Sequence, residues 1–255
     1  MNIEQFKRDF KHLNHVTFDG VILFRDFEVY DIAAESSCYY KTLEEALQHM
    51  HKGKTIAEYI EEMEKIEFHL DGGRGASSGE GGSLFGGQGG NDHRNNSTPD
   101  LPARMNKMYN GNKMSAGHTV GTFRKEHATS SKEHAIMYDD DGFVSTYIHG
   151  NDGSVGFSPS QVKGKHMIHN HPSDGWANFS KADLDSFSST GMKSLAATSS
   201  KKTYTITKGK NFDAKGFQKA VAKARTTEKN YDKAVDKFLK QNAKKYGYTY
   251  NSESH

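Results

Sequence analysis

The sequence predicts an α/β protein: a small α+β module, a glycine-rich linker, and a larger domain in which strands and helices build one mixed sheet flanked by helices. Three observations predict it. Residues 72–90, "GGRGASSGEGGSLFGGQGG", hold ten of the chain's 25 glycines, too little apolar surface to offset the entropy of ordering them. Runs rich in β-branched and aromatic residues lie on both sides of that stretch. Between those runs stand segments with helical spacing, opened by Thr or Ser with an acid in the first turn. The boundaries that follow are a module over 1–70, a flexible linker over 71–104 and a domain over 105–255.

In the module, "VTFDGVILF", "FEVYDI" and "SCYYKT" read as short strands, and "TLEEALQHMHKG" and "TIAEYIEEMEKI" as two helices. Its histidines, His15, His49, His51 and His69, lack ligand spacing, so an interaction or docking role is the reading. The linker matches neither GxGxxG nor GxxxxGK, which sets phosphate binding aside. After it, "EHAIMYDDDGFVSTYIHG" is a hairpin turning on "DDDG". "GKHMIHNHP" is a strand stopped by Pro172, which cannot continue a ladder. "SKADLDSFSSTG" is a helix with Ser180 at its N-cap, and "SLAATSS" and "KTYTITKG" are a further strand pair. From Asp213 to Tyr246 one long helix is predicted, with Phe217, Ala224, Tyr231 and Phe238 as its apolar stripe and a span of about 45 Å.

Composition removes several functional classes. The single cysteine, Cys38, excludes an internal disulfide framework and a cysteine-based zinc site, so any metal must be held by His, Asp or Glu. The N-terminus has no apolar core of a signal peptide, and no run approaches the ~18 apolar residues of a membrane span. A cytoplasmic protein, of a bacterial cell or phage-encoded in its host, is the expectation, with no membrane partner. Net charge is +2, yet Lys201 to Lys245 carries fourteen Lys/Arg against four Asp/Glu. That basic helix could meet nucleic acid. Its aromatics lie on the buried stripe rather than among the lysines, so packing on the domain or self-association through the stripe is preferred.

The chemistry concentrates in "HMIHNHPSDGWANFSKAD", residues 166–183. Residues two apart on a strand share a side, so His169 and His171 present two imidazoles to one cavity while His166, Ile168 and Asn170 face away. Asp183, in the first turn of the next helix, could reach back as a third ligand. Two His, one Asp and a water form the open four-coordinate zinc site that hydrolysis requires. The bland alternatives are an HxH pair on a solvated strand and an ordinary helix cap made by Ser180 and Asp183.

Taken jointly, His169-x-His171-Pro172-x7-Ser180-x-x-Asp183 resembles the signature of the JAMM (JAB/MPN) zinc metalloprotease family, HxHPx7SxxD, at every fixed position. The resemblance covers about residues 115–210. It implies a cytidine deaminase-like curved mixed sheet flanked by helices, a catalytic Zn2+ held by His169, His171 and Asp183, and hydrolysis of a peptide or isopeptide bond in a protein or peptide substrate. It also implies Ser180 as donor to the oxyanion and an upstream glutamate as general base, for which Glu133 is preferred over Glu126 because it opens the hairpin. Gly175 and Trp176 would shape the rim. Many eukaryotic members have Ser or Thr between the two His; Asn170 is more similar to the RadC-like and phage-borne branches, which points away from ubiquitin. The competing readings are a phage-particle or effector-system binding protein that uses the fold as a scaffold, and a RadC-like nucleic-acid-associated protein.

Overall fold

The structure, a computed structural model, describes residues 3–18, 20–50, 55–59, 68–71, 84, 97–98, 108–109, 115–172 and 175–255. Its class is mixed α/β, with two principal sheets and helices packed on them. Ile3, Phe6 and Phe10 recur at helical spacing, and Ile3–Phe10 forms helix α1 with Phe6 and Phe10 buried. An antiparallel meander follows, β1 (His15–Phe18), β2 (Val21–Phe24), β3 (Glu28–Asp31) and β4 (Ser36–Tyr39). The run from Val16 to Phe24 is thus two strands, turned by Gly20 at a left-handed φ of 72° that a side chain would strain. Helix α2 (Leu43–His49) is capped by Thr42, whose hydroxyl accepts from the Glu45 N–H. A third helix starts after Thr55, which exchanges hydrogen bonds with Glu58; the rest of "TIAEYIEEMEKI" lies outside the described residues.

Most of the predicted linker also lies outside the described residues. At the points that are described, the chain touches the second domain. Strand β5 (Phe68–Asp71), the end of the predicted module and the first residue of the linker, pairs with a later strand, Leu84 is buried in the large core and donates its N–H to the Ala224 carbonyl, and β6 (Ser97–Thr98) adds to the edge of the large sheet.

The second domain runs α3 (Ala116–His127), β7 (His134–Tyr138), β8 (Val144–His149), β9 (Ser154–Phe157), α4 (Pro159–Val162), β10 (His166–Asn170), α5 (Lys181–Ser189), β11 (Ser194–Thr198), β12 (Lys202–Lys208), α6 (Ala214–Lys223), α7 (Tyr231–Tyr246) and β13 (Tyr248–Ser254). Its sheet has the order β13-β12-β11-β10-β7-β8-β6, parallel at β10–β11 and antiparallel elsewhere, while β5 pairs with β9. Alternation along the strands sends Met137, Met167 and Leu195 into a core with α5, α6 and α7, and Ile136, Ile168 and Ala196 into a second core with Phe123 of α3. The one crossover helix, α5, joins the parallel pair, so the C-terminal end of β10 and the N-terminus of α5 meet. Crevices of this kind are where open α/β sheets bind ligands.

The long C-terminal helix is corrected. Ala224 ends α6, with its carbonyl taken by Leu84, and Asn230 caps a new helix by accepting from the Lys233 N–H. Helix α7 has 16 residues and spans about 24 Å rather than about 45 Å. Phe217, Ala224 and Tyr231 of the predicted stripe are buried in the chain's own core, with Phe238 packed against it. The lysines also have intramolecular work. Lys215 pairs with Asp26 and Glu28 at 2.6 Å each, Lys219 pairs with Glu28, and Lys223 pairs with Glu35 at 2.7 Å, so the basic face holds the N-terminal module. Asn14 ties the same module to α5, donating to the carbonyls of Ser189 and Ser188.

This contact gives the fold an acid limit. His15 is buried, and burial lowers its pKa to about 4; Asp185 opposes the shift, and Lys181 and Lys208 add to it. A histidine whose folded pKa is depressed contributes stability above the unfolded value, lost as pH falls from 6.5 towards 4. Glu28 extends the loss: burial raises its pKa, but Lys215, Lys219 and Ser37 outweigh that and hold it at about 2. Urea unfolding is expected to show up to about 3 kcal/mol less stability at pH 4 than at pH 6.5 from His15. His15→Leu should flatten that part of the curve, and an unaltered slope would refute it.

Candidate metal centre

Strand β10 is central, with β7 and β11 hydrogen-bonded on either side. His169 lies on the strand, and His171 continues the same alternation, its N–H donating to the Thr198 carbonyl of β11 at 2.8 Å. Pro172 then turns the chain away. Ser180 and Asp183 form a reciprocal cap: the Ser180 hydroxyl accepts from the Asp183 N–H at 3.1 Å, and Asp183 Oδ2 accepts from the Ser180 N–H at 2.6 Å. Glu133 immediately precedes β7, where its N–H donates to the Asn151 carbonyl.

These elements bring four buried side chains together. The Nε2 atoms of His169 and His171 stand 2.8 Å apart, Asp183 Oδ1 lies 3.4 Å from His169 Nε2 and Oδ2 lies 3.5 Å from His171 Nε2. Glu133 Oε1 lies 3.7 Å from His169 Nε2. Each of the four is 0% exposed. Glu133, His169 and His171 converge within 4.8 Å of one another and could hold a metal ion.

The electrostatics suit a cation. His171 Nδ1 faces the Trp176 carbonyl at 2.8 Å; a carbonyl only accepts, so Nδ1 carries the proton and Nε2 turns its lone pair to the centre. Burial lowers the pKa of His169, with the Asp183 carboxylate pulling the other way, which keeps this imidazole available as a neutral ligand. Burial opposes the charge on Asp183, so a carboxylate kept ionised there needs positive charge at the centre. Asp183 Oδ1 is buried and makes no hydrogen bond. A buried carboxylate oxygen left unsatisfied is costly, and a divalent ion is the partner that a set of two imidazoles and carboxylates fits.

The predicted residues therefore divide clearly. His169, His171, Asp183 and Glu133 meet. Ser180 borders them, itself buried, its oxygen accepting in the cap so that its O–H can donate elsewhere. Glu126 is exposed on α3 and outside the group. His166 points to the other face, bonded to Asp140 and Ser194. Trp176 packs against the large core, and its carbonyl, which no reading of side-chain types could single out, orients His171. No protein-family model, curated protein or solved structure matches the chain.

Proposed function

We propose that this chain is a zinc-dependent metallopeptidase or isopeptidase of the JAMM type. One observation carries the proposal: Glu133, His169 and His171 converge, with Asp183 against both imidazoles, at the C-terminal end of a central strand and fully buried. His169, His171 and Asp183 would hold the ion. Zinc there would supply a Lewis acid that makes water nucleophilic at neutral pH. Glu133, beside that position, would take the attacking water's proton on its carboxylate and return it to the leaving amine. The Ser180 O–H would donate to the oxyanion, a contribution of roughly 3 kcal/mol for a single donor. The Trp176 carbonyl holds the His171 ring in its tautomer, and burial of all four side chains strengthens each of these charges by excluding water.

A second reading has its own support. Because the group converging within 4.8 Å contains Glu133, that residue could be a ligand alongside the two histidines. Both readings require a metal. Elemental analysis of the purified protein is expected to give near one zinc per chain, and a chelator should stop peptide-bond hydrolysis that added zinc restores. A chain that carries no zinc and takes up none at neutral pH would end both.

A further inference from the structure

We infer that Asn170 is a positioning residue: its carboxamide clamps the peptide groups on either side of Glu133 and so fixes the Glu133 carboxylate against the His169–His171 pair. The inference rests on the metallopeptidase reading for its purpose, though not for its geometry. Asn170 is 0% exposed and sits between the two histidines, yet its side chain leaves the centre and crosses to the neighbouring strand. Oδ1 accepts the His134 N–H at 2.7 Å, and Nδ2 donates to the Lys132 carbonyl at 2.9 Å. Both partners are backbone groups of fixed role, so the orientation of the amide follows from them.

The position explains why an amide is needed. Backbone pairing of β10 with β7 ends at His169 opposite Ala135, after which the β10 main chain follows β11 alone. Residues 132–134 would be left with two inward-facing peptide groups and no strand to meet them. A carboxamide, like a peptide group, sets an N–H donor and a C=O acceptor in one plane, and it extends the ladder by one rung from a side chain. On the other side, Glu133 gives its N–H to Asn151 and accepts from the Gly150 N–H. Glu133 is thus held from both sides, and the inner hold comes from the residue that joins the two histidines. Ser or Thr at 170, with one short hydroxyl, cannot reach both groups.

Two substitutions and two probes test it. Asn170→Ser removes both bonds; Asn170→Asp is nearly isosteric, keeps the fold's volume, and sets a carboxylate oxygen against the Lys132 carbonyl. In metal-free protein, hydrogen exchange of the His134 amide should be roughly tenfold faster in Asn170→Ser, with the amides of Met167 and Leu195 unchanged. With Co2+ bound near one per chain, the visible bands of both variants should move in the direction that Glu133→Gln moves them. Asn170→Ser should add nothing on top of Glu133→Gln. Unchanged exchange at His134, loosening of the whole sheet together, or a spectral change that adds in full to that of Glu133→Gln would each overturn the clamp. If the unaltered protein takes up no Co2+, the zinc reading fails by itself, and the exchange result still decides the clamp.

Discussion

Asp183→Asn is expected to cost the protein its metal while leaving it folded. Oδ2 of Asp183 is committed to the Ser180 N–H at 2.6 Å, and only an oxygen can accept there. The new amide nitrogen must then fall at the position of Oδ1, the oxygen that makes no hydrogen bond and lies 3.4 Å from His169 Nε2. A donor would point where a cation needs an acceptor, and the charge facing both imidazoles would vanish. The helix cap survives, because the Ser180 hydroxyl still accepts from the backbone N–H at 183. Losing an outer-shell partner typically weakens a metal site by about 10- to 100-fold, and this change to a ligand should exceed that. Competition with a chromogenic chelator measures the affinity, and full zinc retention in a folded variant would remove Asp183 from the ligand set.

Glu133→Gln has the opposite signature. If Glu133 is the base, its amide cannot accept the proton, and hydrolysis should fall by about 10²- to 10⁴-fold while zinc content holds. The side chain is buried 3.7 Å from His169 Nε2, so the isosteric amide fills the same space and the sheet is not asked to repack. If zinc is lost together with activity, Glu133 belongs among the ligands and the three-residue convergence is the coordination set. The pair of substitutions assigns the two carboxylates, which distances alone do not, since both stand within 4 Å of the same imidazole nitrogen.

Local rules account for the parts of the fold that were legible. The "DDDG" hairpin, the strand stopped by Pro172 and the Ser180 cap all depend on neighbours a few residues apart, and each is present. Helix α1 carried its own signal, Ile3, Phe6 and Phe10 at helical spacing, masked by the charges between them. Strand β13 carries no such local signal. "YTYNSES" buries only Tyr248 and Tyr250, so its membership depends on the register it takes against β12. The break between α6 and α7 falls where no Pro or Gly stands. It is made by contacts far away in sequence, the Leu84 N–H on Ala224 and the Tyr231 hydroxyl on Phe179.

The same division holds at the centre. By itself the sequence determined the candidate ligand types and their spacing: two imidazoles on one side of a strand, an aspartate in the cap of the next helix, and a single thiol, Cys38, far from both in sequence. Strand period and helix capping are local, so residue order is enough. Only the tertiary structure decided which glutamate joins them, because Glu126 and Glu133 differ in placement and not in kind: one is exposed on α3, the other is carried in by β7 as β10's neighbour. It also gave Asn170 and the Trp176 carbonyl their tasks and turned the basic C-terminal lysines towards the acids of the N-terminal module. Those outcomes depend on which strands lie side by side and which surfaces are buried together, and no window of sequence contains both partners.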